Sequence, residues 1–250
     1  MAQGVQWKDQ GASLTLTFQD LKITRVSDNK SITINGTQTY TNVTGGLLIN
    51  LLTLGTITHS ITSSNMSITF DDGTQRTWNV AKQRVYTFSG TNVSVTISGT
   101  HTEGNVTNIA EWGTNRLGHA FTSSTVQPVV IRSDCNFRVT SGEIRHTLPH
   151  VTADATFGLD SNGNPTSCPG AGHYYFKIVF TGSGGNSVTL IMAYELFKKI
   201  FGAALTYRGG FFMAVIFTLI DSLLHLHQEV ILSLVISAQF WLNLLRPVSY

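Results

Sequence analysis

The chain has 250 residues and a formal net charge of +2, and charged residues make up only 12% of it, about half the usual share for a soluble protein. Ser, Thr, Asn and Gly replace the missing charges through the first three quarters. No run of Lys or Arg is present to supply the broad basic footprint that nucleic acid requires, and the length fits one large domain or one domain with an appendage.

The start, Met1-Ala2-Gln3-Gly4-Val5-Gln6-Trp7-Lys8, has neither a basic opening nor an apolar run, so it does not read as a signal peptide. The Thr/Asn-rich body nevertheless suits an exported protein, which places the expected true start upstream of Met1. Leu14, Leu16 and Phe18 then alternate with Thr15 and Thr17, a strand pattern whose phase slips at Gln19-Asp20, where a bulge or bend is expected. Ile32 and Ile34 lead into Asn35-Gly36, a turn signal. Met66, Ile68 and Phe70 run into Asp71-Asp72-Gly73, and Trp78 and Val80 return; this is the clearest hairpin. Val93, Val95 and Ile97 precede Ser98-Gly99, Ile144 follows Ser141-Gly142, and Tyr174 to Phe180 faces Val188 to Ile191 across a Gly/Ser loop. Short strands at this spacing predict an all-β antiparallel meander forming a sandwich or half-barrel over about residues 10–194. Ile34-Asn35-Gly36-Thr37-Gln38-Thr39 echoes Ile97-Ser98-Gly99-Thr100-His101-Thr102. Each glycine there serves either a positive φ at a turn or a close backbone approach.

Near residue 194 the polar composition gives way to Leu, Phe and Ile. The expected organisation is therefore an antiparallel β domain over 1–194 and a short, apolar helical appendage over 195–250. Gly209 to Ile220 and Val230 to Leu245 are both uncharged, yet each falls short of the roughly 20 residues of a membrane span. Residues 209–245 remain the candidate for membrane contact. The competing readings are a pair of helices packed on the β domain and a tail foreign to it.

The segments Ile34-Asn35-Gly36-Thr37, Ile68-Thr69-Phe70-Asp71-Asp72-Gly73-Thr74 with Arg76-Thr77-Trp78, Glu111-Trp112-Gly113-Thr114-Asn115-Arg116-Leu117-Gly118, Asp134-Cys135-Asn136 and Thr156-Phe157-Gly158 occur in an order that resembles exported, often lipid-anchored β-rich proteins of the Bacteroidetes type. That group has no assigned activity, and the resemblance covers about residues 10–194. It implies a cell-envelope or extracellular location and a meander-like body, and it brings no catalytic residues.

Candidate chemistry is sparse. Cys135 and Cys168 either pair or remain two half-buried thiols; a pair would suit an exported chain. His225, His227 and Glu229 do not share one helical face, and Asp160-Ser161-Asn162-Gly163-Asn164 lacks the glycine and glutamate positions of a calcium loop, so no metal and no cofactor is expected. Trp112 with Arg116 and Trp78 with Arg76 are the candidate ligand-binding pairs, suited to sugar stacking or to cation–π contact. Gly113 and Gly118 suggest that Trp112 lies on a loop. No catalytic set is recognisable, since Thr181-Gly182-Ser183-Gly184-Gly185 only approximates a nucleophile elbow. The expected function is a structural or ligand-binding envelope module with a glycan or envelope component as partner. The alternative is a carbohydrate-active enzyme using Glu103 or Glu111. The sequons beginning at Asn29, Asn35, Asn42, Asn65, Asn92 and Asn105 follow from a composition rich in Asn and Thr.

Overall fold

The computed structural model describes residues 4–168 and 174–193. The chain divides into two compact units, Met1–Ala203 and Ala204–Tyr250, and every described residue belongs to the first. The expected boundary near 194, the helical appendage, the membrane-contact segment 209–245 and the cluster His225, His227 and Glu229 lie outside the described residues.

The fold is all-β and antiparallel. Its strands are β1 (Ala12–Thr24), β2 (Ser31–Asn42), β3 (Thr56–Phe70), β4 (Gln75–Ser89), β5 (Asn92–Gly99), β6 (His101–Glu103), β7 (Val106–Thr114), β8 (Ala120–Arg132), β9 (Arg138–Leu148), β10 (Val151–Leu159), β11 (Tyr175–Gly182) and β12 (Ser187–Ala193). One sheet holds them all, in the order β1-β2-β3-β4-β5-β8-β9-β10-β11-β12, with β7 also paired to β4, β6 and β8.

At its centre the pairing closes a ring, β4–β5–β8–β7. Ser89 to Lys82 pair with Asn92 to Gly99, and further along the same strand Val80 to Thr77 pair with Glu111 to Thr114. The strands β5 and β7 also divide β8 between them, Ser94 to Ile97 against Arg132 to Val129 and Ile109 to Thr114 against Ser124 to Ala120. Between those two stretches the chain leaves the line as a small hairpin in which His101 faces Ile109.

Alternation along the strands places the core on one face. On β4 the buried residues are Arg76, Trp78, Val80, Lys82, Arg84 and Tyr86, every second position. Ile57 and Ile61 of β3, Val95 and Ile97 of β5, and Phe176, Ile178 and Phe180 of β11 join them. Most of the opposite positions on β4 and β5 are Thr, Ser, Gln and Asn, which explains how so few charges suffice.

Two expectations need correcting. Asn35-Gly36 is not a turn, because β2 runs straight through it. The register with β3 slips between Asn35 and Thr37, and Gly36 has φ +121°, where a Cβ would lie 2.6 Å from Asn65 O. Gly36 therefore serves both purposes at once, a positive φ and a close approach, within a bulge. Its echo Gly99 supplies the close approach alone, with a Cβ 2.1 Å from Asn108 O. Helix also occurs within residues 10–194, where the meander was expected to be strand throughout. A single turn, Leu48–Asn50, and α1 (Leu51–Leu54) join β2 to β3, anchored by buried Leu51. The slip expected at Gln19-Asp20 is present, as an irregularity between Phe18 and Leu21.

Cys135 and Cys168 form a disulfide across 33 residues. Such a link restricts the unfolded chain and stabilises by about 3–4 kcal/mol. Replacing both cysteines by serine is expected to lower the unfolding free energy by that amount in a urea titration, and reductant should then have no further effect. An unchanged midpoint would contradict it.

Candidate functional site

Two polar assemblies stand out, one sealed in the core and one open. The sealed one follows from β4. Lys82 Nζ donates to Glu111 Oε1 at 2.5 Å, with side-chain exposures of 0% and 2%. Register sets Glu111 opposite Ser123, and Ser123 opposite His146, where Ser123 Oγ lies 2.8 Å from His146 Nδ1. Arg76 stands over the rings of Phe121 and Trp78, at 5.1 and 5.8 Å. His59 meets Trp7 and Tyr86 edge-on at 5.2 and 5.0 Å.

Burial, reinforced by the charge of Arg84, lowers the His59 pKa to about 4, and burial with Arg76 nearby lowers His146 to about 3. Both rings are neutral at pH 7. The Nε2 atom of each finds no hydrogen-bond partner among the described residues. Ser123 and His146 hold the separation of a nucleophile and its base. At 2% and 0% exposure, however, they admit no substrate, and the row is part of the core.

The open assembly is a groove enclosing about 600 Å³, lined by β8, β9, β10 and the segment that follows β10. That volume lies in the range of small-ligand sites. Its polar lining includes Gln127, Thr140, Ser141, Glu143, Thr156 and Thr166, with Phe157 and Pro165 among the apolar members. Register explains the row: Thr156 pairs with Glu143, and Glu143 with Gln127, on the face opposite the buried Ala155, Ile144 and Thr125. The pairing of β8 with β9 slips three times between Thr125 and Ile131, and bulges of this kind re-aim side chains beside binding sites. Gly158, at φ +77°, would bring a Cβ within 1.9 Å of Thr140 O, so only glycine lets these strands approach there.

The wall over residues 159–168 is firmly tied. Leu159 bridges Pro165, Thr166 N donates to Gly158 O at 2.8 Å, and Arg132 Nη1 donates to Ser167 O at 3.2 Å. The disulfide fixes the end of the segment at Cys168. Within it Asp160 Oδ1 accepts from Asn164 N and Asn162 N at 2.9 and 2.8 Å. These backbone donors hold the Asp160 carboxyl below its ordinary range. This is an Asx turn, and no metal-holding cluster occurs among the described residues.

The four residues singled out for ligand binding are dispersed. Trp78 and Arg76 form the expected pair but are buried, at 6% and 5% exposure. Trp112 lies in β7, not on a loop, half-buried and opposite Asn79 and Thr122. Its ring stacks on His101 with centroids 4.0 Å apart and planes 14° from parallel. Arg116, in the turn after β7, stands 3.8 Å from the Phe70 ring centroid and donates to Asp72 Oδ2 at 2.7 Å. Of the two glutamates considered for catalysis, Glu111 is sealed against Lys82 and Glu103 is exposed at the end of β6. Asn42 is fully buried, donating to Trp7 O and Gly46 O, which removes that sequon from consideration.

Sequence reasoning missed the groove. Its residues are ordinary Thr, Ser and Gln; Gly142 was read as part of a turn signal and Gly158 only as part of a resemblance motif, and the close strand approach at both shows only in the fold. No helix among the described residues is long and apolar enough to cross a membrane. No protein-family model, curated protein or solved structure matches this chain.

Proposed function

We propose that this chain is a non-enzymatic ligand-binding module of the cell envelope, and that the groove across β8, β9 and β10 takes a neutral glycan. The observation that carries this reading is the lining of the groove. Hydroxyls of Ser141, Thr156 and Thr166, the amide of Gln127, the carboxylate of Glu143 and the guanidinium of Arg132, itself paired with Asp134, line it beside the apolar Val130, Phe157 and Pro165. Sugars offer matching hydroxyl donors and acceptors together with apolar C–H faces, whereas a charged ligand would call for a concentration of opposite charge. Glycoside hydrolysis generally uses two carboxylates placed across the scissile bond, and among the described residues Glu143 is the one carboxylate in the lining. The disulfide is compatible with an oxidising compartment outside the cytoplasm, which supports the envelope location.

A glycan array and a chromogenic glycoside screen on the same full-length sample test both halves. Binding without turnover is expected, and Glu143→Gln should weaken binding about tenfold, the loss of one charged hydrogen bond. Turnover that Glu111→Gln or Glu143→Gln abolishes would overturn the reading in favour of an enzyme.

A further inference from the structure

The strand register links the groove to Trp112, a half-buried tryptophan on the same face. Along β9 the residues on the groove side are Glu143, Arg145 and Thr147, and their partners on β10 are Thr156, Asp154 and Thr152, in an unbroken register. Thr147 pairs in turn with Thr122 of β8, and Thr122 with Trp112 of β7. Trp112 therefore lies on the groove face, opposite the buried row Glu111, Ser123 and His146. Its stacking on His101 at 4.0 Å holds the indole in one orientation.

Between the two ends lies Arg145, which donates from Nε and Nη2 to the two oxygens of Asp154 at 2.7 and 2.9 Å. This pair is salt-bridged and still partly open, with side-chain exposures of 49% and 23%, so both groups retain polar atoms at the surface. From the Glu143 row to the Thr147 row is four residues of strand, about 14 Å, and Trp112 lies two strand spacings further across, about 10 Å. The path from groove to ring is thus continuous, polar and longer than a disaccharide.

We infer that the ligand of the groove is a linear neutral oligosaccharide. One end is held at Glu143, Gln127 and Thr156, the chain crosses Arg145–Asp154, and a distal sugar stacks on Trp112. Sugar C–H faces are the natural complement of an indole ring held in place from one side, and a chain of repeating hydroxyls suits the Thr and Arg–Asp surface between. This inference rests on the glycan reading of the groove and extends it to ligand length and to a second contact.

The test uses the full chain and oligosaccharides of two and six units from the glucose, xylose, mannose and N-acetylglucosamine series, titrated calorimetrically. In the series that binds, the six-unit probe is expected to bind about tenfold more tightly than the two-unit probe, a distal contact of ordinary size. Trp112→Ala should remove that gain without changing the affinity for two units, and Trp112→Phe should keep most of it. Equal affinity for both lengths, or a gain that survives Trp112→Ala, overturns the inference while leaving the groove reading intact if Glu143→Gln still weakens both probes. No binding in any series, or binding indifferent to Glu143→Gln, overturns the groove reading and the inference with it.

Discussion

Lowering the pH from 7 to 4 is expected to remove on the order of 5 kcal/mol of stability, because two buried histidines refuse protons that the unfolded chain accepts. An unfolded histidine titrates near 6.5. In the fold His59 titrates at about 4 and His146 at about 3. Below pH 6.5 the unfolded state therefore binds more protons, so stability is complete above that value and falls as pH drops towards 4. A loss of this size is comparable with the whole stability of a typical domain. The check is a series of urea titrations across pH 7 to 4. The slope of unfolding free energy with pH should approach that of two protons, and the double variant His59→Gln, His146→Gln should flatten it. Unchanged stability between pH 7 and 4 would show that these rings are solvated and the sealed row is not sealed.

The second large effect concerns Lys82. Its ammonium and the Glu111 carboxylate are both withdrawn from water and bonded at 2.5 Å. Removing one member of such a pair leaves an uncompensated buried charge and costs about 3–5 kcal/mol, whereas replacing both with apolar residues is often neutral. Lys82→Met is expected to lower the unfolding free energy by that amount, and Lys82→Met with Glu111→Leu should recover most of it. A single variant within about 1 kcal/mol of the wild type would contradict the buried pair, since that is the scale of an exposed one.

Most of the strand skeleton was legible in the sequence, because alternation with period two follows directly from one buried face. The hairpin through Asp71-Asp72-Gly73 and the slip after Phe18 are both visible as changes in that alternation. What misled was chemistry shared by turns and bulges. Asn35-Gly36 carries the residues of a hairpin turn, and only its packing against Asn65 makes it a bulge. The core row was illegible for another reason: Arg76 and Glu111 drew notice only as candidates for binding and catalysis, and pairing across strands is what places them with Lys82 and Arg84 in the core. The groove depends on three register slips between β8 and β9 and on the tie from Cys168, which are long-range facts with no local signature. Trp112 drew notice in the sequence as a neighbour of Arg116, but its role in the fold comes from His101 and from the row it shares with Thr122 and Thr147.

Hydrogen–deuterium exchange of the full chain, with and without the glycan that binds most tightly on the array, tests the placement of the site directly. Protection is expected in peptides covering residues 127–132, 140–147 and 156–167, with a weaker effect around Trp112 and none around Asp72 and Arg116. Protection confined to the turns at Asp72 and Arg116, or bound glycan with no change along β8, β9 and β10, would contradict the groove as the site of function.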